Sequence, residues 1–567
     1  MSGSLRTAER TQPAMDMSAA STKNLSLFAL IMIGLGSIFG SGWLFGAGQA
    51  AQVAGPAALV AWVVGALFIG MIAMSYAEVG AAYPLPGAMA RFGSISHGPV
   101  LGFVSGWAVW IGVASLIPIE SIAGTQYMSS WNYDWARGLV SDGSLTASGM
   151  AMALFLTFVL WFACYWSVAL LARANTVLTL VKFAIPVLVV AALIASGFHP
   201  GNFTGHGGFA PNGWSAVMTA VTTSGVVFAF NGFQAVVNLG GAARNPGRAI
   251  PLALVGALSL GLVIYLALQV AFLGSVPPEK LAAAGGWHGI NFASPFADLA
   301  KLLMLHWVAT LVQFGAFISP CGANIANVAS ASYLAQNLAE TGFFPKKIAE
   351  VHPRYGTARP AMWLNLGFSV LLLLTIGHSW EALASVVSAA MVVSYLIGPI
   401  AVGVLRRTKP DLPRPFRLPA ASVLCPITFA FAACALYWSK WPNTGKVTLL
   451  VLVSVPIAAL VLRRRGERNL SRQFAAAWWM IGFLLWLSTL SALGGKEFGG
   501  NGVLPGGVDI ALVGVSALGF YFWAVRAGVQ ADRAGLTDSD LTLATEPEAE
   551  RTVLPGQRSG EREAVVS

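Results

Sequence analysis

Fourteen apolar runs separated by short polar stretches set the pattern of this chain. They fall near residues 25–50, 56–82, 99–127, 147–168, 173–197, 214–242, 249–275, 303–335, 361–377, 382–405, 419–439, 446–463, 473–493 and 506–526. Each approaches the ~20 apolar residues that a helix needs to cross a bilayer. None shows the ~10-residue apolar/polar alternation of a membrane barrel strand, and lipid offers a free backbone group no partner. Every run is therefore predicted to be a helix, and the expected fold is an all-α polytopic membrane protein. The flanks read differently. Residues 1–23 are polar and lack a cleavable signal, so a cytoplasmic tail is expected. Residues 527–567 are rich in Glu, Thr, Arg and Gly and are expected to be disordered.

Composition excludes the main alternative. Of 567 residues, 56% are hydrophobic and 10% charged, with a mean hydropathy of +0.70. A soluble domain carries about 25% charge. The net charge of +10 would suit nucleic acid or anionic lipid, so the position of the charges decides. With the N-terminus placed inside, alternate loops and the two tails hold 26 Lys and Arg on the inner side and 6 on the outer side. The remaining one of the 33 is Lys182, within a span. Such a bias marks both termini as cytoplasmic and turns the basic residues into orientation signals, which excludes nucleic acid as a partner. Cys164, Cys321, Cys425 and Cys434 lie in apolar stretches without metal-ligand spacing and read as small buried hydrophobes.

Two spans carry features that a plain lipid-facing helix avoids. The first contains Gly40-Ser41-Gly42, about 22 Å along an ideal helix from the start of the run. Glycines there lower helix propensity and let the chain unwind. Exposed amides, together with the positive end of the following half-helix, can hold a carboxylate at membrane depth. Small residues also permit close helix packing, and this segment alone leaves both readings open. The sixth span contains Phe230-Asn231-Gly232, which favours unwinding and frees carbonyls for an ammonium group. Breaks at matching positions of two halves point to a transporter site.

Three charges lie well inside spans. Lys182 is about 15 Å into the fifth span, where an ammonium is costly and able to exchange its proton; a lasting bond to neighbouring carbonyls is the other reading. Glu120 lies at a depth that suits a wall of the site, an outer gate or the interface. Glu78, near the inner end of the second span, is expected to form a structural or gating pair. In the eighth span, Ser319-Pro320 suggests a kink before Asn324 and Asn327, with a contribution to an ion site as the alternative. The histidines have no metal spacing, and no phosphate-binding loop is present, so neither a cofactor nor ATP-driven pumping is expected.

At these residues the chain resembles the amino acid–polyamine–organocation superfamily of secondary transporters. The marks are Gly40-Ser41-Gly42, Ala82-Tyr83-Pro84 with Gly87, and Phe228-Ala229-Phe230-Asn231-Gly232-Phe233. Further marks are Arg244-Asn245-Pro246, the loop from Gly342 to His352, and the basic, proline-rich stretch from Arg406 to Phe416. Trp43-Leu44-Phe45, Tyr165-Trp166-Ser167 and Ala477-Trp478-Trp479 bring it closest to the aspartate–proton symporter type. The resemblance implies a LeuT-like core of two inverted five-helix repeats over 24–405 (about 24–197 and 214–405), with discontinuous helices 1 and 6. Helices 11–14 over 406–526 would be accessories. It implies that amides around Gly40, Ser41 and Gly42 take a substrate carboxylate. Carbonyls of Ile38, Phe228, Ala229 and Asn231, beside Gly232, would take its amino group. Lys182 matches the lysine that stands in for sodium in proton-coupled members. Two departures stand out: Gly240-Gly241-Ala242 replaces acidic residues at the inner gate, and Thr125 stands where an aspartate carrier is expected to have a basic residue.

The expected activity is proton-coupled symport of an amino acid across the inner membrane by alternating access. Glu120 is counted with the substrate-binding residues, Lys182 is the coupling residue, and the proton is the coupling ion. An amino acid or polyamine antiporter, and a non-transporting nutrient sensor on the same fold, remain open.

Overall fold

A computed structural model describes residues 25–84, 88–166, 168–238, 243–352, 358–467, 469–505 and 507–537, without the side chains of 88, 166 and 168–179. Both predicted tails lie largely outside the described residues, as do Gly87, Ser167 and Gly240-Gly241-Ala242.

Helices form where apolar runs leave the backbone no partner but itself. Span 1 is two helices, Leu27–Ile38 and Gly42–Ala54. Span 2 is Ala58–Ala82, span 3 Pro99–Met128, span 4 Ala147–Trp166 and span 5 Val168–Ser196. Span 6 comprises Gly213–Thr223, Val226–Ala229 and Phe233–Asn238. Span 7 is Pro246–Ser275, span 8 His306–Glu340 and span 9 Arg359–Thr375. Span 10 comprises Trp380–Tyr395 and Ile397–Thr408. Then follow span 11 (Ala421–Trp438), span 12 (Asn443–Leu452 with Ser454–Arg464), span 13 (Leu470–Leu493) and span 14 (Val508–Arg533). Among the described residues, ten helices are long and apolar enough to cross a membrane; four shorter apolar helices belong to spans 1, 5, 6 and 9.

Three boundaries differ from the expectation. Span 6 bends a first time at Gly225, whose φ of +79° only glycine adopts cheaply, ahead of the predicted break at Asn231. Span 8 covers His306–Glu340 rather than 303–335 and stays helical through Pro320, where Ser319 accepts from the Trp43 indole at 3.1 Å. The last helix continues to Arg533 rather than ending at 526, because Ala527, Gly528 and Ala531 are buried on it. The expected tail therefore starts later than 527.

Spans 3 and 10 form the centre. In each, 94% of the most apolar stretch is buried inside the protein, against 28% in span 4. Span 3 packs on spans 8 and 10, span 8 on span 5, and span 7 on spans 1 and 2. The chain entering span 1 pairs with the chain leaving span 6 through a parallel bridge between Leu25 and Ala243.

Candidate functional site

The break in span 1 is Phe39-Gly40-Ser41. Phe39 leaves helical geometry at φ −84°, ψ 75°. A side chain on Gly40 would stand 2.5 Å from Glu120 Oε1, so glycine alone lets span 3 approach. The Ser41 amide donates to Glu120 Oε2 at 3.0 Å and Oε1 at 3.3 Å. That carboxylate lies at the N-terminal end of the half-helix Gly42–Ala54, where the backbone dipole favours an anion. The Ser41 hydroxyl accepts from the Trp380 indole at 2.9 Å.

The break in span 6 faces it backbone to backbone. Gly232 has φ +127°, and a Cβ there would meet the Ser37 carbonyl carbon at 2.5 Å and the Ile38 nitrogen at 2.7 Å. A Cβ on Gly42 would meet the Ala229 Cα at 2.8 Å. Tyr265 of span 7 links the two breaks: its hydroxyl lies 3.1 Å from the carbonyl oxygens of both Ile38 and Ala229. Its ring stacks on Phe39 at 5.1 Å. The Phe228 carbonyl accepts from the Asn231 amide at 3.0 Å, closing a turn.

Asn231 is half satisfied. Its Oδ1 accepts from the Tyr395 hydroxyl at 2.7 Å, whereas Nδ2 has no partner among the described residues. Gln234 braces this corner: its Nε2 donates to Tyr395, and its Oε1 accepts from the Gly232 amide at 2.7 Å. A cavity of 60 Å³ joins Gly40, Glu120, Phe228 and Asn231 and extends past Asn327 to Ser330. It has room for a few waters. An amino acid therefore enters only if the walls move. Toward the other face, aromatic rings close the site. Trp380 stacks on Phe45 at 4.6 Å and meets Phe228 edge-on at 5.4 Å, and the Tyr127 hydroxyl donates to the Leu44 carbonyl at 2.7 Å.

Lys182 is fully buried and reaches the Gly36 carbonyl with Nζ at 3.4 Å. It and Glu120 act on each other through charge. Glu78 lies elsewhere, near the C-terminal end of span 2. Arg406 grips both its oxygens at 2.9 and 2.6 Å, Arg414 stands 3.5 Å away, and the Leu418 amide donates at 2.7 Å. Burial pushes the Arg414 guanidinium below its ordinary value; Glu78 opposes this, while the charges of Arg406 and Arg417 add to it.

Ile38, Gly40, Ser41, Gly42, Glu120, Phe228, Ala229, Asn231 and Gly232 thus meet at one place, with Lys182 behind the first break. Several of the groups that the resemblance assigns to a substrate are partnered within the protein. The Ser41 amide is held by the protein's own carboxylate, and the Ile38 and Ala229 carbonyls share the Tyr265 hydroxyl. Thr125 is buried and donates to the Ser121 carbonyl at 2.9 Å. Sequence reasoning missed Tyr265, Trp380, Gln234 and Tyr395. For Tyr265 a signal existed: with Gln269 it puts two polar groups four residues apart on one face of an otherwise apolar helix.

Comparison with known proteins fits this geometry. Residues 25–460 match the sequence profile of the family described as amino acid permease. The chain belongs to the amino acid permease family. This permease is 44% identical over 513 residues to the glutamate/serine transporter AimA of Bacillus subtilis (strain 168), covering 90% of its own length and 95% of the relative's. It is 36% identical over 514 residues to the aspartate-proton symporter of the same organism, covering 89% and 97%. A branched-chain amino acid permease, BcaP, is 24% identical over 457 residues, covering 79% of this permease and 94% of the relative. The likeness to the aspartate–proton symporter type holds, and the glutamate/serine transporter shares more identity. Family and relatives are transporters, and this permease is a multi-pass membrane protein of amino acid transport.

Proposed function

We propose that this permease imports an amino acid together with a proton, by alternating access about the two helix breaks. The observation that carries the reading is the carboxylate of Glu120 on the Ser41 amide, at the positive end of a half-helix. The seat suits an anion, and a substrate carboxylate takes it when Glu120 withdraws. Lys182, buried behind the first break with Nζ 3.4 Å from the Gly36 carbonyl, carries the coupled proton, so substrate and proton load together. Once Tyr265 yields them, the Ile38 and Ala229 carbonyls receive the substrate ammonium. The free Asn231 Nδ2 suits a side-chain oxygen. The relatives named for glutamate, serine and aspartate support a small polar or acidic substrate. Spans 1–10 would form the inverted-repeat core, with both termini cytoplasmic, a reading that the distribution of basic residues supports.

Proteoliposomes test this with labelled serine, glutamate and aspartate under an imposed pH gradient. Uptake should follow the gradient in the native protein, and Lys182→Ala should abolish that dependence. Undiminished gradient-driven uptake by Lys182→Ala would overturn the coupling assignment. Stronger stimulation by preloaded amino acid than by the gradient would favour antiport.

A further inference from the structure

A second cavity, remote from the helix breaks, opens between spans 2, 7 and 11. It measures 410 Å³ and is lined by apolar side chains, among them Leu67, Met71, Met74, Val255, Leu262 and Leu424. Leu67 and Val255 are exposed, so the cavity opens where lipid lies. From Leu67 to Met74, and from Val255 to Leu262, the helices advance seven residues, about 10 Å, so the groove extends along the bilayer normal. Its wall at Gly70 is bare: nothing lies within 4 Å of where a Cβ would be.

The mouth of the groove carries unbalanced positive charge. Leu418 lines it, and its amide and carbonyl are tied to Glu78 and Arg406 at 2.7 Å each. One carboxylate there faces two guanidinium groups, Arg406 and Arg414. Arg417 is next to Leu418 in the chain, is exposed, and lies near enough to Arg414 for its charge to be felt there. Arg248 stands seven residues before Val255 and fourteen before Leu262, on the groove-lining face of span 7. It too is exposed, and Pro415 packs on Gly247 beside it. Neither Arg248 nor Arg417 has an acidic partner among the described residues. An apolar slot two helical turns long, capped by free arginines at the face the basic residues mark as cytoplasmic, has the chemistry of an anionic lipid.

We propose that the groove between spans 2, 7 and 11 seats one acyl chain of an inner-leaflet anionic phospholipid, whose phosphate is held by Arg248 and Arg417. Occupation ties the lipid to the Glu78–Arg406–Arg414 cluster through Leu418, and so to the inner ends of spans 2 and 10.

Native mass spectrometry of the full-length protein tests it, after exchange into phosphatidylglycerol or phosphatidylcholine with identical acyl chains. The native protein should retain phosphatidylglycerol at least fivefold more than phosphatidylcholine. Arg248→Gln/Arg417→Gln should erase that preference, whereas Arg463→Gln/Arg464→Gln, which removes the same charge from exposed positions in the last turn of span 12, should keep it. Gly70→Phe, which fills the slot where the backbone leaves room, should lower retention equally. Equal retention of the two lipids by the native protein overturns the charged seat, as does loss of preference in the Arg463/Arg464 control. Retention that survives Gly70→Phe overturns the groove as its place.

Discussion

If Glu120 occupies the seat of the substrate carboxylate, then weakening its grip should tighten substrate binding. Glu120→Gln is the perturbation: it keeps the shape and one acceptor oxygen and removes the charge. In the native protein the Ser41 amide lies 3.0 and 3.3 Å from the two carboxylate oxygens. A hydrogen bond to a charged group contributes about 1.5–3 kcal/mol and a neutral one about 0.5–1.5 kcal/mol. The internal competitor is therefore weakened by about 1 kcal/mol, roughly a fivefold gain in affinity for a carboxylate-bearing ligand. Equilibrium binding of labelled serine and glutamate to the solubilised protein at alkaline pH measures it, and gradient-driven uptake should fall in the same variant. A several-fold loss of affinity instead would show that Glu120 holds the substrate and would refute the competition.

Gly232→Ala forces a Cβ to within 2.5–2.7 Å of backbone atoms at φ +127°. It should reduce uptake by roughly a hundredfold, about 3 kcal/mol, while Gly70→Ala leaves uptake unchanged. Arg406→Ala leaves the buried Glu78 with Arg414 as its one charged partner, beside the Leu418 amide. Its melting should report a loss near the lower end of the ~3–5 kcal/mol of a broken buried pair, and Glu78→Gln in the same chain should restore part of it. His97, in the short helix Phe92–His97 outside the spans, is pushed down from 6.5 to about 4 by burial, against a bond to the Ala524 carbonyl that raises it. Its folded pKa is the lower one, so its stability of about 3 kcal/mol is complete above ~6.5 and is lost as pH falls toward 4. Melting temperature should decline over that window, less steeply in His97→Asn; identical slopes would refute the assignment.

Both breaks were legible because glycine, serine and asparagine at the middle of an apolar run contradict everything around them. The spans were legible for the same reason that their arrangement was not. Spans 3 and 4 are similarly apolar on average, yet one is central and the other faces lipid, because lipid and protein interior look alike to an apolar side chain. Glu120 was visible as a buried charge. Its attachment to Ser41, 79 residues away, depends on where span 3 packs. Trp380 and Tyr395 escaped notice because an aromatic residue in a span reads as lipid-facing or core until its polar atom is seen to have a partner.

The glycine contacts at the breaks sort the four half-helices into two couples. Gly42 touches Ala229, joining the second half of span 1 to the first of span 6, and Gly232 touches Ser37 and Ile38, joining the other two. Each couple is a hinged leaf with bare main chain at its seam, and the Tyr265 hydroxyl is the pin on which both leaves rest. Such a seam has no side chain that can stretch to follow a retreating partner. Parting by little more than the width of a water molecule would therefore leave bare main chain on both sides of the seam.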